Sequence, residues 1–207
     1  MPYQHDVFIS YKRDRFADEW LINCFLPIFR FKVQQAIAAE TNRKPGSIFF
    51  DQTDIAPAQL AFDHEGIEPG QNWRDALTRA IRTSRCAVAL WSPLYFQSEW
   101  CNIEWRSFYE RGKSFNPSKE LVIPASIYDG KVFPNDARAT QFIDLSEFVV
   151  IGTAFKNTEL YVQLQKKLDG FAQRVAEVVA QAPAFDNWAV AAPPPAPPPP
   201  DIPKPVL

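Results

Sequence analysis

The chain has 207 residues, 46% of them hydrophobic and 14% aromatic, with a formal net charge of -2. That is enough for one domain of ordinary size with a full core. The charge balance speaks against a nucleic-acid binder or a basic membrane-surface segment. Three cysteines, Cys24, Cys86 and Cys101, form no CxxC pair and suit a reducing cytoplasm better than a disulfide framework. The N-terminal residues lack the charged and apolar regions of a signal peptide, and no apolar run is long enough to span a bilayer.

Asp6-Val-Phe-Ile-Ser-Tyr11 is β-branched and aromatic and predicts the first strand. Asp14 can cap the segment that follows. From residue 16 to about residue 40, Phe16, Trp20, Leu21, Cys24 and Phe25 recur at helical spacing, and Pro27 should kink or split that helix. Thr41-Asn-Arg-Lys-Pro-Gly46 is a turn cluster, and Ser47-Ile-Phe-Phe-Asp51 a second strand ending on an acid. Residues 52–70 make a long connection for an α/β domain, and connections of that length are usually functional. A helix is expected over residues 73–82, with Trp73, Leu77, Ala80 and Ile81 inward.

Cys86-Ala-Val-Ala-Leu-Trp91 reads as a buried strand. Ser92-Pro93 then suits a helix start, with an oxygen cap and proline at the first helical position. Ser98-Glu99 is a second start signal. At about 100° per residue, Trp100, Cys101, Glu104, Trp105 and Phe108 share one stripe, so Glu104 sits in an otherwise apolar face. A carboxylate there must be paired, neutral or used. Residues 121–128 predict a fourth strand, where Pro124 favours an edge or a bulge. Residues 141–145 predict a fifth, which residues 148–151 could extend, and residues 158–179 a last helix. After Ala180 the composition changes, and Ala191-Ala-Pro-Pro-Pro-Ala-Pro-Pro-Pro-Pro200 can only be polyproline-like chain. A domain over residues 1–182 is therefore expected, followed by a Pro-rich linker or tail at 183–207 that could tether a further domain or a partner.

Five strands interleaved with helices imply an α/β fold with a five-stranded parallel sheet and helices on both faces. Ligands bind such sheets at the carboxyl ends of the strands, which gathers residues 10–15, Asp51 and residues 92–104 on one rim. The seven glycines form no GxG, so neither a dinucleotide-cofactor fingerprint nor a phosphate-binding loop is present. His5 and His64 belong to no metal-ligand pattern, and no metal is expected. The rim offers carboxylates, arginines, hydroxyls and aromatics. Cleavage of the nicotinamide–ribose bond of NAD needs little more, because its leaving group is already a cation and no general acid is required. Ordinary glycosides need two carboxylates. One carboxylate to orient the ribose and stabilise the oxocarbenium charge could suffice, with aromatic walls for the bases and arginines for the pyrophosphate.

Three stretches carry a resemblance: Asp6-Val-Phe-Ile-Ser-Tyr11, Ile67-Glu-Pro-Gly-Gln-Asn-Trp73, and Ala80-Ile-Arg-Thr-Ser-Arg-Cys-Ala-Val-Ala-Leu-Trp-Ser-Pro-Leu-Tyr-Phe-Gln-Ser-Glu-Trp-Cys-Asn-Ile-Glu104. In that order they resemble the Toll/interleukin-1 receptor (TIR) domain family, the bacterial and plant-like branch in particular. Beyond about Gly112 the likeness rests on strand order. The resemblance implies a flavodoxin-like sheet and, for many bacterial and plant members, cleavage of NAD as a substrate rather than use of a cofactor. It implies that Glu104 is the catalytic residue, in a Trp-x-x-x-Glu arrangement with Trp100, which is expected to wall the site. Ser10, Tyr11, Lys12 and Arg13 are expected to contact the nucleotide, Arg13 alternatively being a solvated surface charge. Asp51 is expected to take ribose hydroxyls or to cap a turn. Trp73, Ser92 and Tyr95 complete the expected substrate-binding set, with Trp73 more often core and Phe96 buried. The resemblance also implies activation by TIR–TIR self-association, a sensor domain or partner beyond the tail, and a cytoplasmic role in anti-phage defence or immune signalling. Neither nucleic acid nor membrane is expected as a partner. Animal members of the family suggest an alternative, a non-catalytic adaptor assembling through residues 52–70. Those residues depart from the tighter family pattern between Ala56 and His64.

Overall fold

A computed structural model describes residues 2–51, 64–65, 72–116 and 120–191 of the chain. The strands are β1 (His5–Tyr11), β2 (Ser47–Phe49), β3 (His64–Glu65), β4 (Ser84–Trp91), β5 (Val122–Ser126) and β6 (Ile143–Asp144). The helices are α1 (Arg15–Trp20), α2 (Leu26–Thr41), α3 (Trp73–Thr83), α4 (Pro93–Gln97), α5 (Glu99–Phe115), α6 (Asn135–Ala139) and α7 (Glu159–Ala180). The sheet order is β3-β2-β1-β4-β5-β6, and every pairing is parallel. The expected five-stranded sheet is β2-β1-β4-β5-β6, the flavodoxin-like order. The sixth strand, β3, is two residues long and lies at the outer edge, inside the stretch read as connection. The rest of that connection, and the polyproline run after Ala191, lie outside the described residues.

From β1 the chain crosses in one direction to β2, then returns past β1 to β4. Right-handed crossovers in opposite directions put the intervening helices on opposite faces. α2 and α7 pack together in one layer, α3 and α5 in the other. β4 is covered on both faces, and Cys86 through Trp91 are completely buried. A continuous apolar run is what such a strand requires. The α2–α7 layer is held by an aromatic ladder through Trp20, Phe25, Phe29 and Phe171, with successive ring centroids 5.5, 4.8 and 5.6 Å apart. On the other face Phe8 lies between Phe49 at 5.2 Å and Phe108 at 5.8 Å.

Pro27 acts by a route the pattern did not specify. The helix divides upstream of it into α1, a π-helical turn over Leu21–Phe25, and α2. Leu26 N–H reaches back to Leu21 O, five residues earlier. The wider turn accommodates a residue that has no N–H and whose ring crowds the preceding carbonyls. Asp14 caps α1 as expected, accepting from the N–H groups of Phe16 and Ala17.

Pro124 is explained by strand parity. Leu121 O accepts from Ala87 on β4, whereas Ser126 O accepts from Leu145 on the β6 side. Even-numbered β5 residues therefore face β6. That strand pairs only with Ala125 and Ser126, so the missing N–H of Pro124 falls where the ladder has not begun. The possible extension of the fifth strand does not form, since Ser146–Phe148 is a 3-10 turn.

The amino-terminal edge of the sheet is locked by Asp6, which is 2% exposed. Arg43 donates to both of its oxygens, at 2.6 and 3.1 Å, and Gly46 N–H donates at 2.5 Å. Arg85 Nε stands 3.1 Å away. A Cβ on Gly46 would lie 3.1 Å from the same carboxylate, so glycine permits that approach. The turn between α2 and β2 is thereby tied to β1.

Candidate active site

Three elements converge at the carboxyl edge beside the point where the sheet order reverses. β1 ends in Ser10 and Tyr11, α4 carries Tyr95, and α5 carries Glu104. Their relative placement follows from two serine caps. Ser92 Oγ accepts from Tyr95 N–H at 3.2 Å, with Pro93 at the first helical position, and Ser98 Oγ accepts from Cys101 N–H at 3.5 Å. Both starts are those read from the chain. Ser92 is thus engaged as a cap.

Glu104 is 7% exposed. Ser10 Oγ donates to its Oε2 at 2.6 Å, and Tyr95 OH lies 2.7 Å from Ser10 Oγ. Burial, reinforced by Cys101 and Glu104, holds the Tyr95 phenol well above its usual range. Tyr95 therefore keeps its proton and donates to Ser10, which leaves the Ser10 proton for Glu104. The three side chains form a one-way relay ending on the carboxyl group.

The carboxyl is not an ionised anchor at rest. Burial pushes its pKa from the ordinary 4.5 up to about 8; the Ser10 hydrogen bond opposes this and the Asp51 charge adds to it. At neutral pH Glu104 therefore holds a proton. Cys101, one turn earlier, donates to Tyr11 O at 3.5 Å. Burial, with the charge of Glu104, raises its thiol to about 12. It stays protonated, which makes it a core residue rather than a nucleophile.

The remaining expected residues divide. Tyr11 is buried and stacks on Phe50 at 4.9 Å. Burial, together with the neighbouring Asp51, keeps its hydroxyl protonated. Arg13 folds onto Asp51, with Nη2 2.7 Å from the carbonyl oxygen and 3.3 Å from Oδ2. The second carboxylate oxygen of Asp51 is buried, on the Tyr11 side of the pair. Lys12 is exposed. Trp73 is 44% exposed, so it is not the core residue it was expected to be. It is the first residue of α3 and projects from the helix end onto the rim, where Trp100 meets it edge-on at 4.9 Å. Trp100 is half-buried, one turn before Glu104, and forms a wall there together with Trp73. Phe96 is half-buried rather than buried, packed against Trp91 and Phe133. Among the described residues, no group of histidine, cysteine and carboxylate side chains is placed to hold a metal ion.

Two residues behind the site carried no expectation. Ser107 and Arg111 lie on α5 near the Glu104 side of the helix and are buried. Their signal was available in the chain, as polar residues three and seven positions after Glu104.

The fold and site define a flavodoxin-like α/β domain with one buried carboxyl group at its switch point and no cofactor loop among the described residues. A family profile described as TIR domain matches residues 48–156; the chain belongs to the TIR domain family. A curated relative from Brachypodium distachyon, the probable 2' cyclic ADP-D-ribose synthase BdTIR, is 27% identical over 110 residues, covering 50% of this chain and 49% of the relative. The chain thus spans about half the length of that relative. Among solved structures, the TIR domain of the Toll-related receptor TRR-2 from Hydra magnipapillata aligns with a TM-score of 0.41 at 18% identity, over 79% of this chain and 98% of that one. The TIR domains of the activated Roq1 resistosome align with a TM-score of 0.36 at 17% identity, over 86% and 96%.

Proposed function

We propose that this TIR domain is an NAD glycohydrolase. The bond between ribose C1 and the nicotinamide nitrogen breaks, and its electron pair neutralises the pyridinium. Water, or a hydroxyl of the substrate itself, then bonds to C1 and gives ADP-ribose or a cyclic form. The observation that carries the reading is Glu104, buried at the switch point with the Ser10–Tyr95 relay aimed at it. The likeness to a relative named as a cyclic ADP-ribose synthase supports the same chemistry. Glu104 would orient the ribose and face the developing positive charge. Trp73 and Trp100 would wall the base, and Lys12 and Arg13 would meet the pyrophosphate once Arg13 leaves Asp51. NAD is the substrate, and no cofactor is invoked.

Activation by self-association belongs to the proposal, as do a sensor linked through the Pro-rich tail and a role in anti-phage defence or immune signalling. A cytoplasmic setting fits three cysteines that are free and buried. No described helix is long and apolar enough to cross a membrane. The test is nicotinamide release from NAD by a clustered sample. Release is expected from the wild type and a loss of at least about 100-fold from Glu104→Gln; equal release by the two proteins would sink the assignment. The near-complete burial of Glu104 favours a second reading, a non-catalytic module that assembles through TIR–TIR contacts. That reading requires assembly but no turnover, and indifference to Glu104→Ala.

A further inference from the structure

Past α7 the chain does not leave the domain. Residues 182–191 run without regular secondary structure along the flank of α5. Pro183 is buried. Phe185 meets Tyr3 edge-on at 5.2 Å, and Trp188 Nε1–H donates to Tyr3 OH at 3.0 Å. The Trp188 ring covers the Arg111 guanidinium at 5.2 Å, and Phe108 lies 4.7 Å from the same group. Arg111, held between these rings, donates to Ile81 O and Ser84 O at 2.8 Å each. It thus ties α5 to the end of α3. Further on, Ala191 N–H donates to Ser107 Oγ at 2.9 Å, and Ser107 Oγ donates to Ile103 O at 2.6 Å. The carbonyl of Ile103 and the nitrogen of Glu104 belong to one peptide unit. The last described hydrogen bond of this segment therefore leads into the backbone of Glu104.

We infer that residues 183–191 are a clamp that positions Glu104 through α5, with Trp188 as its anchor and Arg111 and Ser107 as the points it holds. The inference deepens the proposed function and rests on it for its catalytic consequence. The physical argument is one of tolerance. The 2.6 Å hydrogen bond between Ser10 and Glu104 spans two different elements, and a shift of α5 by about 1 Å would break it and admit water. The inner side of α5 is held to β1 by Phe8 and Phe108. Its flank is held by the clamp. The groups that face Glu104 or act on its charge are Ser10 from β1, Asp51 after β2, Tyr95 from α4 and Cys101 from α5, with Lys12 acting on Cys101. None belongs to residues 183–191. A change at Trp188 can therefore reach the carboxyl group only through the placement of the helix.

The experiment is a carbon-13 carboxyl titration of Glu104 in the full chain, for wild type, Trp188→Ala and Trp188→Phe. Loss of the anchor should hydrate Glu104 and lower its midpoint by about one pH unit or more in Trp188→Ala. Trp188→Phe keeps a ring over Arg111 but loses the donor to Tyr3, and should shift the midpoint less, in the same direction. Under clustering, nicotinamide release by Trp188→Ala should lose about tenfold or more in kcat with KM within about twofold, the pattern of a misplaced group rather than a lost contact. A midpoint unmoved in folded Trp188→Ala overturns the inference. If that variant does not fold, an unmoved midpoint in Trp188→Phe overturns it equally. Absence of NAD cleavage by the wild type would remove the proposed function and leave the titration to decide the clamp.

Discussion

Replacing Glu104 by glutamine should make the protein more stable, and by an amount that depends on pH. The side chain is an acid whose folded pKa is about 8 against an ordinary 4.5. Below 4.5 the carboxyl is protonated in both folded and unfolded chains and has no linkage effect. Between the two values the unfolded chain has released the proton and the folded chain retains it. Over that window stability falls by about 1.4 kcal/mol per pH unit. At pH 7 the accumulated loss is about 3 kcal/mol, and above pH 8 it levels at about 5 kcal/mol. Glutamine has the same shape, carries no proton equilibrium, and offers Oε1 to the Ser10 hydroxyl. Glu104→Gln should therefore match the wild type near pH 4.5 and exceed it by about 3 kcal/mol at pH 7. For a chain of this size that is a rise in Tm of about 6 to 12 °C. Urea denaturation at half-unit intervals from pH 4.5 to 9 measures it. Parallel pH profiles for the two proteins, or a variant less stable at pH 7, would refute the buried protonated carboxyl.

Two further expectations concern its neighbours and the far edge of the sheet. Ser10→Ala removes the one hydrogen bond that lowers the proton affinity of Glu104 and strips Tyr95 OH of its acceptor. The carboxyl midpoint should rise by about one unit, and the ascending limb of any NAD-cleavage pH profile should move alkaline with it; a shift toward acid would contradict the relay. Asp6→Ala leaves Arg43, Arg85 and the Gly46 N–H facing a vacated buried position. It should cost about 3 to 5 kcal/mol in urea denaturation at pH 7, and a loss below about 1 kcal/mol would show the cluster to be a solvated ion pair.

Features encoded by neighbouring residues were legible in the chain. Ser92-Pro93 and Ser98-Glu99 read as helix starts because a cap is a matter of three or four residues. The burial of Glu104 followed from the stripe it shares with Cys101 and Phe108. What escaped was set by distant partners. Trp73 has the spacing of a core residue with Leu77, Ala80 and Ile81, but it opens α3 at the rim, where Trp100 meets it edge-on and the Arg74 guanidinium lies over its ring. The proton on Glu104 depends on closure by β1 and α4, which no helical period records. Residues 183–191 were grouped with the polyproline run by composition, although Phe185 and Trp188 interrupt that composition with the rings that dock. Pro27 predicted a break, and the π turn places it upstream, over Leu21–Phe25.

A protonated Glu104 fits the proposed reaction better than a permanent anion would. A lone buried carboxylate without a paired cation would be strongly disfavoured, and the site avoids this by keeping the proton. The nicotinamide end of NAD carries the missing positive charge. At about 4 Å and an effective dielectric near 20, that charge favours the carboxylate by about 4 kcal/mol. This is about three pH units, enough to carry Glu104 from about 8 to about 5. Binding would then ionise the group, its proton leaving to solvent, and cleavage of the nicotinamide–ribose bond would move the positive charge onto the ribose without removing it from the site. When water adds to C1 the sugar becomes neutral and a proton is released. The carboxylate, now without its counter-charge, is the base that takes it, which restores the resting acid. On this reading a single carboxyl group serves the whole cycle, because the substrate rather than the protein supplies the charge that activates it.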